Sequence, residues 1–214
     1  MWIRTIHPRG LIVLVGMWLL GVGTGVWLLE RYAVTPGIAA AAPRAWPAES
    51  DIGRAPGRAT LIMFAHPHCP CTRASIGELS RLMAEVPAAA VDAHVLFLKP
   101  PGLGDDWEQT DLWGSAAAIP GVQVSADDDG REARRFGSVT SGQTLLYDAA
   151  GRLLFSGGVT DARGHAGDNA GRSALVGLLT TDNANAIQAE TAVFGCQLLQ
   201  VADACEARNS VCPR

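Results

Sequence analysis

The sequence predicts an α/β fold, a central mixed sheet with flanking helices, preceded by one N-terminal transmembrane helix. Three observations carry this. Gly10 to Leu29 is a run of 20 residues without a charge. From Ala59 onward, short apolar runs alternate with helical periodicity in the order β-α-β and then β-β-α. A Cys-Pro-Cys turn, Cys69 to Cys71, sits at the first strand-to-helix junction.

The apolar run comes first. At 1.5 Å per residue it reaches about 30 Å, the thickness of a bilayer core, whereas signal-peptide cores are shorter. Arg4 and Arg9 precede it without an acidic residue, while Glu30 and Arg31 cancel behind it. Positive charge on the N-terminal side predicts an N-in orientation, with the rest of the chain outside the cytoplasm. The expected location is therefore the bacterial inner membrane, single-pass, with residues 1–9 cytoplasmic and the domain in the periplasm. The small residues Ala39 to Ala42 leave a cleaved signal peptide as the alternative, and both readings export the domain. Residues 30–58, rich in Ala and Pro, read as a linker that lifts the domain off the membrane.

The domain itself is expected over residues 59–180. Thr60 to Phe64 is a short buried strand. In Thr72 to Val86, Ile76, Leu79, Leu82, Met83 and Val86 recur at helical spacing, and Val91 to Lys99 is a second strand. This βαβ unit implies parallel strands joined by a right-handed crossover. A helix is expected over Asp105 to Ala118, carrying Trp107, Leu112 and Trp113. A short strand should follow at Gly121 to Ser125 and a short helix at Arg131 to Phe136. Thr144 to Asp148 and Leu153 to Ser156 flank Ala149-Ala150-Gly151, a hairpin signal. The Gly-rich loop Gly158 to Gly171 then leads into a helix, Arg172 to Leu179. In residues 181–214 a further helix is expected over Ala184 to Val201, ahead of a cysteine-containing tail.

Composition bounds the chemistry. Net charge is −4, from 17 basic and 21 acidic residues, which excludes a basic surface for nucleic acid. The five cysteines fall into the pair Cys69 and Cys71 and the tail group Cys196, Cys205 and Cys212. A cysteine at a helix N-terminus meets the positive end of the macrodipole, and this favours the thiolate. Pro70 suits the first helical position, where its missing N–H costs nothing. Cys69 is therefore the expected nucleophile, with His66 and His68, if protonated, lowering its pKa further. Residues i and i+2 of a helix point to nearly opposite faces, so a Cys69–Cys71 disulfide would be strained and oxidising.

The same residues support a second reading. His66, His68, Cys69 and Cys71 together offer imidazole and thiolate ligands for copper or zinc. A non-catalytic binding module is a third. A peroxidase would want a Thr or Ser two or three residues before Cys69, and none is there. If the last strand runs parallel to the first, the Gly158 to Gly171 loop lies beside the Cys-Pro-Cys turn. Arg163 and His165 are then candidate site residues, His165 as a proton carrier. Asp168 and Asn169 read instead as turn formers. Of the tail thiols, Cys205 and Cys212 are the candidate structural disulfide by proximity. That leaves Cys196 free, buried, or able to reach Cys69 as an alternative resolving thiol.

FAHPHCPCT after a strand resembles the active-site turn of thioredoxins, and SGQTLLYDAAGRLLFSGG resembles their β-hairpin. With GGVTDARGHAGDN, the Cys-Pro-Cys turn is most similar to the membrane-anchored RedB-type thioredoxin-like proteins. The resemblance covers roughly residues 59–179. It implies a thioredoxin-like fold, Cys69 at the position of the first family cysteine, and a partner protein bearing a thiol or disulfide. Three departures accompany it. The two-residue spacer is reduced to Pro70; the family's buried acid falls on Met63; and its cis-proline falls on Gln143. Losing that proline leaves room for a metal beside the thiols.

Overall fold

The structure, a computed structural model, describes residues 8–38, 41–104, 106–181 and 189–199. It divides into two units, Met1–Thr35 and Pro36–Arg214. The first is helix α1, Pro8–Ala33, of 26 residues and with none buried. It is long and apolar enough to cross a membrane and extends the uncharged run at both ends.

The second unit is built on a six-stranded sheet of order β3-β2-β1-β4-β5-β6. Strands β1 (Ala59–Ala65) and β2 (Val91–Lys99) are parallel, joined by helix α2 (Pro70–Glu85). Helix α3 (Asp111–Ala117) leads to β3 (Val122–Asp128), parallel to β2, and the short helix α4 (Arg131–Arg135) follows. Strand β4 (Thr144–Tyr147) is antiparallel to β1, and β5 (Leu153–Gly157) is antiparallel to β4. Two reversals make β5 parallel to β1, so both strands end on the same edge. Helix α5 (Ala170–Thr180) and the short β6 (Ala189–Glu190) complete the unit. A βαβ unit and a ββα unit joined through the central antiparallel pair β1 and β4 is the thioredoxin-like fold.

Side-chain alternation explains why β1 is central. Leu61, Met63 and Ala65 enter one apolar cluster with Ile76, Leu79 and Leu82 of α2, while Ile62 and Phe64 enter a second on the opposite face. Successive strand residues point to opposite faces, so an uninterrupted apolar run buries both. Each such Leu, Ile or Phe contributes about 1.5–3 kcal/mol on burial. Met63, expected in place of a buried acid, is fully enclosed in the first cluster.

Three expectations need correction. Among the described residues of the Asp105 to Ala118 stretch, the helix begins only at Asp111. Thr110 fixes that start, its hydroxyl accepting from the Leu112 N–H at 3.3 Å and donating to the Pro67 carbonyl at 3.0 Å. Trp107 is thereby left in a turn. In the tail, residues 189–199 are not helical: β6 pairs with β5, and the chain then runs irregularly, bending at Gly195 and bridging Thr140 at Gln197, to Leu199. The β5 edge supplies backbone partners that outweigh the helical spacing of Val193, Leu198 and Leu199, all of which are nonetheless buried.

The linker is the third. From Pro36 the chain packs onto the domain and does not stand off from it. Trp46 meets Phe136 and Tyr147 edge-on at ring separations of 5.1 and 5.2 Å. The Trp46 N–H donates to Gly151 O at 2.8 Å, and the Tyr147 hydroxyl donates to Pro43 O at 2.9 Å. Ser50 donates to the Glu132 carboxylate at 2.7 Å. Through Ala42, Trp46 and Ile52 this Ala- and Pro-rich stretch covers the open face of the second cluster.

Candidate functional site

Cys69 is the N-cap of α2, in extended conformation (φ −90°, ψ 115°), with Pro70 at the first helical position. Its side chain is buried, 1% exposed, whereas Pro70 and His68 are exposed and Cys71 is half-buried. The turn is closed by Cys69 N–H to His66 O at 3.1 Å and by His68 N–H to His66 Nδ1, also at 3.1 Å.

Three segments converge on this turn. The loop before β4 brings Ser141, whose Oγ accepts from the His66 N–H at 2.8 Å and pairs with the Thr72 hydroxyl at 2.7 Å. The tail brings Cys196, whose backbone N–H donates to Cys69 Sγ at 3.3 Å and whose carbonyl accepts from Ser141 N–H at 2.8 Å. The loop after β5 brings Arg163, which donates to Gly195 O and acts electrostatically on Cys71. Cys69, Cys71 and Cys196 are all free thiols.

The charges follow from these contacts. Burial pushes the Cys69 thiol up, but hydrogen bonds from the Cys196 side chain and backbone and from Thr72 outweigh it, and the net shift is downward. Cys71 goes the other way, raised by burial and by Cys69, with Arg163 opposing. Cys196 is pushed up to about 12 by burial and then by its hydrogen bond to Cys69 and the charge there. One thiol is thus held toward the nucleophilic form while two neighbours stay protonated.

Some expected residues sit elsewhere or act differently. His66 is lowered by burial first and then by the nearby His68, so it is neutral near pH 7 and adds no positive charge beside Cys69. His66 and His68 instead pack against Trp107, at ring separations of 5.7 and 4.7 Å. His165 is exposed in its loop and donates its backbone N–H to Ala162 O. Gln143 is buried, its carbonyl accepting from Phe64 N–H at 2.9 Å, and no peptide bond in the described residues is cis. Asn169 caps α5, accepting from the Arg172 N–H at 2.8 Å, in keeping with a turn role. Among the described residues no group of three or more His, Cys, Asp or Glu side chains is arranged to hold a metal ion. Cys205 and Cys212 lie outside the described residues.

Sequence reasoning missed Thr72, Ser141, Gly195, Trp107 and Glu78. Glu78 is an acid of α2 that is fully buried, 0% exposed, on the face toward the loop after β5. It pairs with Arg81 and with Arg172 Nε (3.0 Å), and accepts from Gly167 N–H (2.9 Å) and the Asn169 amide (3.3 Å). A charge at an otherwise apolar helix position was the available signal. Ser141 carried none, because its role depends on which loop the sheet order brings to the end of β1.

No family profile and no curated protein matches the chain. Solved structures do. An uncharacterized conserved protein from Geobacillus kaustophilus is 15% identical with a TM-score of 0.56, over 77% of this chain and 92% of that one. A hypothetical protein from Sinorhizobium meliloti is 18% identical with a TM-score of 0.51, over 78% and 94%. A secreted disulfide oxidoreductase of Mycobacterium tuberculosis is 17% identical with a TM-score of 0.42, over 58% and 82%. At these identities the likeness is one of fold, and the fold is thioredoxin-like.

Proposed function

We propose that this chain is a membrane-anchored, extracytoplasmic thiol–disulfide redox protein with Cys69 as its nucleophile. The observation that carries the reading is a buried thiol at the start of α2, shifted toward the thiolate, with further thiols beside it. Helix α1 supplies the single-pass anchor, N-in, which puts the domain in the periplasm, where disulfides form and persist. The similarity of the Cys-Pro-Cys turn and GGVTDARGHAGDN to RedB-type thioredoxin-like proteins supports the same chemistry. Cys69 attacks a partner protein's disulfide, while Cys71, raised by burial and by Cys69 with Arg163 opposing, stays protonated. Full-length protein equilibrated in glutathione buffers should show one two-electron transition, lost in Cys69→Ser. A protein that shows no such transition, and retains stoichiometric copper or zinc when purified without chelator, would be a metal carrier instead.

A further inference from the structure

Two thiols lie close enough to Cys69 to complete a disulfide with it. Cys71 is fixed at the second helical position of α2. Bonding it to Cys69 across Pro70 would unwind the first turn of the helix, which also supplies the dipole that favours the Cys69 thiolate. Cys196 carries no such constraint. Its backbone nitrogen is 3.3 Å from Cys69 Sγ, and its side chain hydrogen-bonds to Cys69.

That position is built. Residues 196–198 run antiparallel to 139–141: Ser141 N–H donates to Cys196 O and Leu198 N–H donates to Val139 O, each at 2.8 Å, with Thr140 opposite Gln197. Arg163 holds Gly195 O. Gly195 itself lies so close to the loop that an added Cβ would stand 1.9 Å from Ser141 O. Contacts from residues 139–141, from Arg163 and from the tail itself therefore present Cys196 to Cys69.

We propose that Cys196, and not Cys71, is the thiol that resolves mixed disulfides on Cys69. The inference rests on the redox reading above. Cys69 thiolate attacks one sulfur of a partner disulfide R–S–S–R′, forming Cys69–S–S–R and releasing R′–S⁻, which takes up a proton. Cys196 sulfur then attacks Cys69 Sγ, forming Cys69–S–S–Cys196 and expelling R–S⁻, which receives the proton Cys196 loses. The partner disulfide is reduced by two electrons and the Cys69/Cys196 dithiol is oxidised by two. In the mixed disulfide Cys69 has no charge, so its share of what keeps Cys196 protonated is gone when Cys196 must react.

The test uses reduced full-length protein in detergent with oxidised glutathione, quenched with acid and N-ethylmaleimide and mapped by mass spectrometry. Wild type and Cys71→Ser should both yield the Cys69–Cys196 disulfide. Cys196→Ser should accumulate glutathionylated Cys69 at least tenfold over wild type. A wild-type disulfide joining Cys69 to Cys71, Cys205 or Cys212 overturns the proposal while leaving the redox reading intact, and needs no variant that might misfold. Absence of both glutathione and any disulfide on Cys69 in all three proteins overturns both.

Discussion

At the scale of single residues, the site separates its thiols by environment. Hydrogen bonds to Cys69 Sγ outweigh the burial that would keep it protonated, while Cys71 is raised by burial and by Cys69. Site-resolved alkylation with iodoacetamide from pH 5 to 10 should therefore show Cys69 reacting at lower pH than Cys71; the reverse order would refute the assignment. His66, neutral by burial, contributes no charge to this ordering. His66→Gln keeps an acceptor for the His68 N–H and should change the Cys69 rate at pH 7 by less than about twofold. A tenfold fall would restore an electrostatic role for the imidazole. Asp127, on the far side of the sheet edge, is raised by burial to about 6 although it accepts from Glu132 and Ala133 N–H at 2.8 and 2.9 Å. With a folded pKa above the unfolded value of about 3.9, its favourable contribution is complete below that value and is lost as pH rises through about 6. Thermal unfolding at pH 4.5 and 7.5 should show the wild type losing more stability across that interval than Asp127→Asn. Equal losses would exclude this assignment.

At the scale of elements, the site depends on close backbone approach. Gly195 admits the tail against the 139–142 loop, and Gly195→Ala would place a Cβ inside van der Waals distance of Ser141 O. The segment must then shift, taking Cys196 from Cys69. Cys69 alkylation by a bulky maleimide should accelerate at least tenfold while far-UV circular dichroism stays unchanged; an unaltered rate would mean the tail does not cover the thiol. This dependence also explains what could be read from the chain in advance. β1, α2, β2 and the hairpin were legible because their apolar periods are local properties, and they sufficed to put Cys69 at a helix start. The tail strand was not legible. Val193, Leu198 and Leu199 fit a helix as well as an extended chain, and only the open β5 edge and the 139–141 loop decide between them. Arg163 was reachable from topology alone, since β5 ends on the same edge as β1; Ser141 and Thr72 required the folded loops.

At the scale of the molecule, the domain does not begin where its first strand begins. The second apolar cluster, around Ile62, Phe64, Phe136 and Tyr147, is closed by Ala42, Trp46 and Ile52 from before β1 and by Leu198 and Leu199 from the tail. Sheets need both faces covered when their strands are apolar throughout, and the helices α2, α3 and α5 cover only one. The stretch that reads as a tether therefore acts as a missing layer, with Trp46 as its largest side chain. A chain starting at Ala59 should unfold at lower urea concentration than one starting at Pro36. Trp46→Ala in the longer chain should account for most of the gap, about 2–3 kcal/mol for a half-buried Trp against the larger loss of a fully buried one. Matching urea midpoints for the two chains would mean that the stretch rests on the surface without stabilising it. A lower midpoint with unchanged Cys69 reactivity would instead separate the two faces of the sheet, since Trp46 packs on one and α2, whose first turn carries the thiols, packs on the other.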